Sequence, residues 1–231
     1  MNRAVIVELG GARSARVNRA ALAGVFLATG LVFAGGARRA AAGDLGVSLE
    51  GGYFGMTNAS KSAKAIFGGS TGGFTGGGSI RYVFLRSLFV GVGAHYFTRD
   101  GQRVFVADAT GTPFRLGHPL TIRELPVYGV VGWRFLPDSR LVPYVALGAG
   151  ATSFSEKSIV GGIEDPPSQS QSKFSGHFMA GAEWGRGIVR LGAEFMYTTV
   201  PDTIGVGNVS KIYGEKDVGG LSFVGKIVLV P

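Results

Sequence analysis

The sequence contains no cysteine among its 231 residues. This absence excludes a disulfide framework, a thiolate metal site and a lipid-modified N-terminal cysteine. Charged residues are also scarce, at 16% against roughly 25% in an average soluble domain. Beyond the first 42 residues, no run is long and apolar enough for a transmembrane helix, which needs about 20 residues. These shortages fit a protein of the cell envelope.

Glycine, in contrast, is abundant, with 40 residues. A glycine-rich chain can be a disordered, low-complexity polymer. Here the glycines alternate with valine, leucine, phenylalanine and tyrosine, the residue types that favour packed β-strands. The composition therefore predicts a strand-rich fold in one domain, since the length is short for two.

The first 42 residues are predicted to be a secretory signal peptide. They contain in order a basic stretch, an apolar run of small residues and an A-x-A cleavage site before Gly43: Arg3, Arg13, Arg16 and Arg19, then residues 20–37, then Ala40, Ala41 and Ala42. An uncleaved anchor is the alternative, although the run is short for the ~20 residues of a spanning helix. Residues 43–231 are predicted to form the mature domain.

The high overall charge belongs mainly to this leader. Removing its six arginines and one glutamate from the 23 basic and 15 acidic residues leaves 17 and 14, a net charge of +3 instead of +8. The pI near 10.0 is thus largely a property of the leader. It does not indicate nucleic-acid binding.

The spacing of the mature chain predicts its architecture. Eight stretches alternate apolar with small or polar residues: 45–56, 74–84, 88–98, 125–135, 141–155, 173–184, 188–199 and 218–230. The connectors between them, read as loops, are alternately long and short. An antiparallel barrel in a bacterial outer membrane produces this rhythm because its periplasmic turns are tight and its outer loops are long. We therefore predict an all-β, eight-stranded, antiparallel up-and-down transmembrane β-barrel.

Side chains in a strand alternate between two faces, and one face carries no charge in any of the eight stretches. The opposite face is predicted to form a lumenal polar network of Glu50, Arg81, His95, Arg134, His177, Glu183, Arg190, Glu194 and Lys226. A lysine or arginine facing lipid at the bilayer midplane costs roughly 2 to 4 kcal/mol. The charged face is therefore expected to line the lumen.

Aromatic residues favour a membrane barrel over a soluble barrel with its apolar face inside. With the mature N-terminus in the periplasm, they form two predicted belts: Tyr53, Tyr96, Phe174 and Tyr197 at the outer rim, and Tyr82, Phe84, Trp133, Phe135 and Trp184 at the inner rim. Membrane interfaces select such belts on either side of an aliphatic band. A soluble ligand-binding barrel remains the alternative.

Two neighbouring segments carry a family resemblance: Leu125-Pro-Val-Tyr-Gly-Val-Val-Gly-Trp-Arg-Phe135 and Val142-Pro-Tyr-Val-Ala-Leu-Gly-Ala-Gly150. They resemble the fourth and fifth strands of the small outer-membrane β-barrel superfamily, which includes the transmembrane domain of outer membrane protein A. The resemblance implies an outer-membrane location and insertion by the barrel-assembly machinery. That machinery usually recognises an aromatic residue at the end of the last strand, whereas this chain ends in aliphatic residues before Pro231.

The predicted function is structural or surface-interacting, and the protein is expected to be a monomer. Three acids and four bases in the lumen predict an ion-paired plug, with a narrow passive channel as an alternative. The outer loops are either only solvated, or they bind lipopolysaccharide phosphates or a partner surface. The other expected contacts are with outer-membrane lipid.

A lipid A-modifying, deacylase-like enzyme is a further alternative. It is disfavoured because none of His95, His118 and His177 has the His-x-Ser spacing of that family, and His118 is predicted to lie in a loop. We predict no catalytic, cofactor or metal site and no nucleic-acid partner.

Overall fold

The structure is a computed structural model that describes residues 44–164, 169–205 and 208–231, so the predicted leader and Gly43 lie outside it. Eight strands form a barrel: β1 (Asp44–Gly55), β2 (Gly72–Phe84), β3 (Leu88–Phe105), β4 (Phe114–Arg134), β5 (Leu141–Val160), β6 (Gln169–Trp184), β7 (Val189–Thr199) and β8 (Gly220–Leu229). Each strand pairs antiparallel with the next, and β1 pairs with β8, which closes the ring. The predicted barrel is thereby confirmed.

The two faces of each strand differ as the alternating sequence requires. In β8, Ser222, Val224, Lys226 and Val228 are buried inside the barrel, while the residues between them are exposed outside. Because side chains alternate strictly along a strand, a shift of one residue would reverse this arrangement. The hydrophobic pattern therefore fixes the register.

Glycines on the inward face make room for large aromatic side chains. A Cβ atom on Gly93 would lie 2.7 Å from the Tyr128 ring, and one on Gly181 would lie 2.6 Å from Cζ of Tyr144. Neither distance is possible for a real Cβ contact. The narrow lumen thus accommodates two tyrosines only because these two positions have no side chain.

Tight turns join the strands at one end of the barrel, which we call the turn end, and the long connections lie at the opposite, loop end. At the loop end the structure corrects several predicted boundaries. β3 continues to Phe105 and β4 begins at Phe114, where a loop over 99–119 was expected. His118, predicted to lie in that loop, therefore lies in β4.

This extended hairpin is stable because it satisfies its backbone hydrogen-bonding groups. Phe105 pairs with Phe114, and one irregularity between Gln102 and Val104 adjusts the register. β5 and β6 likewise extend beyond their predicted ends, and β5 continues into a two-residue strand, Ile163–Glu164. The sequence signal for these extensions was weak because the segments contain proline, glycine and many polar residues.

Two helices at the loop end were not predicted. A 3-10 turn (Thr57–Ala59) leads into α1 (Ser60–Phe67), and α2 (Asn208–Tyr213) lies in the last long connection. Gly68 caps the C-terminus of α1, and its φ of 74° is left-handed and suits glycine. No helix in the ranges that the structure describes is long and apolar enough to cross a membrane.

α1 covers the loop end of the barrel through an apolar cluster. The buried members are Phe54, Met56, Ala59, Ala63, Phe97, Ile122, Phe154, Val200 and Val218. They come from strands, from the first long connection with its 3-10 turn and α1, and from the last long connection. Hydrophobic burial therefore holds the loop-end segments onto the barrel.

Candidate functional site: the barrel interior and its loop end

The centre of the lumen is organised around Glu50 on β1. Its carboxylate lies 2.8 Å from Nε2 of His95 and 3.0 Å from Nζ of Lys226. It also accepts hydrogen bonds from the hydroxyls of Ser48 (2.5 Å) and Ser79 (2.8 Å). The Glu50 side chain has no exposed surface, so each of these contacts replaces hydration that the charge has lost.

Lys226 connects this centre to a second carboxylate. Its Nζ atom lies 2.9 Å from Oε2 of Glu194, which also accepts a 2.7 Å hydrogen bond from the Tyr144 hydroxyl. The Lys226 side chain is only 6% exposed. One ammonium group is thus held between two carboxylates from different strands, an arrangement in which each charge depends on the others.

Nearer the turn end, Arg81 and Glu183 form a buried pair through two contacts between guanidinium and carboxylate. Arg134, which is buried, and Arg190, which is half-buried, lie in the same region. Within the described residues, the Nε atoms of all three arginines have no hydrogen-bond partner. With three arginines and one glutamate, this layer carries more positive than negative charge.

Towards the loop end, a chain of rings leads away from Glu50. The Tyr128 ring lies between His95 and His177, with centroid distances of 5.9 and 4.6 Å. His177 contacts the hydroxyls of Ser175 (3.0 Å) and Thr198 (3.1 Å). The serine that contacts His177 precedes it by two residues, so the sequence search for His-x-Ser could not find this pair.

Glu124 is an interior acid that sequence analysis did not place in the lumen. Its side chain is buried at the loop-end rim, beyond the spanning part of β4 (125–134), where the neighbouring Arg123 is exposed on the outer face. Burial and the nearby Asp217 carboxylate raise the pKa of Glu124 to about 8. The alternating pattern of β4 places it inside, but only the structure extends that strand far enough to show it.

Two acids of the last long connection bind the α1 segment. The Glu215 carboxylate accepts hydrogen bonds from the backbone N–H groups of Lys61 and Ser62, both 2.9 Å, and from the Ser62 hydroxyl. Asp217 accepts one from the Asn58 side chain at 3.1 Å. A carboxylate at the first turn of a helix satisfies otherwise unpaired N–H groups and complements the helix dipole. Polar contacts thus reinforce the apolar cluster.

On the exterior, the aromatic residues of both predicted belts point away from the lumen. The loop-end group is Tyr53, Tyr96, Phe174 and Tyr197, and the turn-end group is Tyr82, Phe84, Trp133, Phe135 and Trp184. Between them lies an aliphatic band, with Leu49 71% and Leu147 63% exposed. The outward positions between the two groups carry no charge among the described residues. A closed sheet leaves no unpaired edge, so this surface suits hydrocarbon.

No protein-family model and no curated protein matches the chain. A likeness is found among solved structures. Neisserial surface protein A is similar with a TM-score of 0.47 and 13% identity, over 83% of this chain and 98% of that one. The N-terminal β-barrel domain of OprF from Pseudomonas aeruginosa is similar with a TM-score of 0.43 and 11% identity, over 80% of this chain and 96% of that one. Ail, the attachment invasion locus protein of Yersinia pestis, is similar with a TM-score of 0.42 and 16% identity, over 81% of this chain and 98% of that one.

The membrane assignment follows from the chain's own strand pairing and surfaces. The ring of strand pairs is closed, the interior is charged, and an apolar band between aromatic belts covers the exterior. A soluble barrel would have the opposite arrangement, with its apolar face inside. The chain is an eight-stranded antiparallel β-barrel of the bacterial outer-membrane type.

Proposed function

We propose that this protein is a closed outer-membrane scaffold, monomeric and non-catalytic, whose role is structural or is exercised through its outer surface. The observation that carries the proposal is the buried contact set of Glu50, which engages Lys226, His95 and two serines within 3.0 Å. An eight-stranded barrel has an interior that its own side chains can fill. A lumen filled by its own side chains, with the charges at its centre paired, leaves no hydrated path for ions.

The loop end supports closure by a different means. The apolar cluster beneath α1 lies across the same end of the barrel, and Glu215 binds the first turn of that helix. A solute would therefore have to displace both an ion-paired layer and an apolar layer. The competing function is a narrow passive channel, which both of these layers would obstruct.

Single-channel recording tests this proposal. Full-length mature protein in planar bilayers should give no discrete conductance steps, because the charges at the centre of the lumen are paired and desolvated. Insertion is verified independently by the different gel mobility of unboiled and boiled samples. Reproducible steps from inserted protein would contradict the closed scaffold and support the channel.

The proposal that the protein is not an enzyme is supported by the surroundings of His177. Ser175 and Thr198 are its hydrogen-bond partners, both are hydroxyl residues, and all three side chains are buried within the barrel. A serine nucleophile acting on lipid needs an oriented base and contact with the substrate. A changed lipid A acyl pattern in cells that express the protein, measured by mass spectrometry, would contradict this part of the proposal.

For the outer surface, we propose contact with lipopolysaccharide beside the hairpin of β4 and β5. Arg123 and Lys157 both lie on exposed positions beyond the loop-end belt, and the pairing of Thr121 with Lys157 places them diagonally across neighbouring strands. Lysine and arginine bind phosphate through charge-assisted hydrogen bonds. We also propose that the barrel-assembly machinery inserts the protein into the outer membrane and that the protein is a monomer.

A further inference from the structure

A cavity of about 750 Å³ opens at the loop end, outside the lumenal network. Its walls come from the extended β3–β4 hairpin, from β5 and β6, from the segment that contains α1, and from the connection that contains α2. The volume lies within the range of roughly 300 to 1,000 Å³ that is typical of small-molecule sites. The cavity is thus large enough for a small organic ligand.

The lining of this cavity is mainly apolar. Deep positions include Met56, Ala63, Ile122 and Phe154, which belong to the cluster that closes the barrel. Such a surface favours an aliphatic or aromatic group, since burial of apolar area drives binding. The ligand should therefore have a hydrophobic body.

The surface at the opening of the cavity is unusually apolar for a segment that lies beyond the aromatic belts. Phe105, Leu116 and Ile212 all line the cavity and are 59%, 41% and 36% exposed. Apolar side chains grouped at one opening, next to polar ones, are typical of a binding site. This exposure is independent of the cavity volume and points to the same place.

The charged residues of the cavity lining indicate which sign of charge the ligand should carry. The lining contains one acid, Glu156, and two bases, Arg103 and Lys211. Burial raises the pKa of Glu156, and the charge of Arg103 acts in the opposite direction, so these two groups interact. Lys211 is exposed on α2, and no acid among the described residues forms an ion pair with it. The lining therefore has an excess of one positive charge.

We propose that this cavity binds a free, single-chain anionic amphiphile, with the chain in the apolar interior and the anionic head group at Lys211. The inference goes beyond the closed scaffold and does not depend on whether the lumen conducts. A cationic amphiphile of the same chain length should bind more weakly, because it would meet the unbalanced positive charge at the opening.

Calorimetric titration of the full mature protein in zwitterionic lipid nanodiscs tests this site, with dodecanoate as the probe and empty nanodiscs as the blank. Dodecanoate should bind saturably with one site per protein. Dodecyltrimethylammonium should bind about tenfold more weakly, and Lys211→Glu should weaken dodecanoate binding by about the same factor because it removes a charge-assisted contact. Leu116→Trp, at an exposed position of the opening, should also weaken it by obstructing entry.

Lys64→Glu is the matched control, because Lys64 is an exposed lysine on α1 that does not line the cavity. It should leave dodecanoate affinity within about twofold, because an exposed charge outside the lining is screened by salt. The proposal is overturned if dodecanoate binds no more than to empty nanodiscs, if the cation binds equally well, or if Lys211→Glu and Lys64→Glu have the same effect. Heat-dependent gel mobility verifies that each variant retains the barrel.

Discussion

Replacement of Lys226 with methionine should lower the free energy of unfolding by about 3 to 5 kcal/mol, which is the usual cost of removing one partner from a buried ion pair. Lys226 is the ammonium group between Glu50 and Glu194, at 3.0 and 2.9 Å. Without it, two buried carboxylates lose their shared counter-charge. Reversible urea unfolding in lipid vesicles, followed by tryptophan fluorescence, measures the change.

Two further variants make this result specific. Lys64→Met removes an exposed lysine and should change the free energy of unfolding by less than about 0.5 kcal/mol. Adding Glu194→Gln to Lys226→Met should recover part of the loss, because one of the two uncompensated charges disappears. A loss below about 1 kcal/mol for Lys226→Met, the value of an exposed ion pair, would show that the lumenal charges are hydrated and would argue against a closed lumen.

The second large effect is expected on the outer face. Leu147→Arg should cost roughly 2 to 4 kcal/mol of unfolding free energy in vesicles, because it places a cation in the hydrocarbon near the midplane. Leu147 is 63% exposed and lies between Leu141, which pairs with Trp184, and Ala151, which pairs with Phe174. These two aromatic residues mark opposite belts, so position 147 is near mid-height.

Ile163→Arg provides the comparison for this variant. Ile163 is 72% exposed but lies in the short strand beyond the loop-end belt, where an arginine would face water. Its substitution should change stability by no more than about 0.5 kcal/mol. If Leu147→Arg and Ile163→Arg had equal effects, the exterior of the barrel would not be in contact with hydrocarbon.

The barrel was predictable because its two strongest determinants are local in sequence. Side chains alternate with a period of two, and lipid penalises any charge on the outer face, so faces and strand number follow from the pattern. The same reasoning indicates which face of β2 carries Arg81. It does not indicate that Arg81 binds Glu183, which is 102 residues away.

The loop end was not predictable for a related reason. α1 has a short sequence with two lysines and is held by Glu215, which lies 154 residues from Lys61. The extension of β3 and β4 depends on the pairing of Phe105 with Phe114 across a loop that contains glycine and proline. The contact between Glu215 and Lys61 depends on closure of the ring, which brings distant segments together. The cavity therefore had no signature in the sequence.

The most direct test of the central claim uses the absence of cysteine in the natural chain. A nitroxide label on Leu147→Cys, with Ile163→Cys as the comparison, reports the surroundings of each side chain in lipid vesicles through its collisions with oxygen and with a water-soluble nickel chelate. We predict that oxygen collisions dominate at position 147 and that nickel collisions dominate at position 163. Equal access of the nickel chelate to both labels would contradict an apolar exterior immersed in lipid.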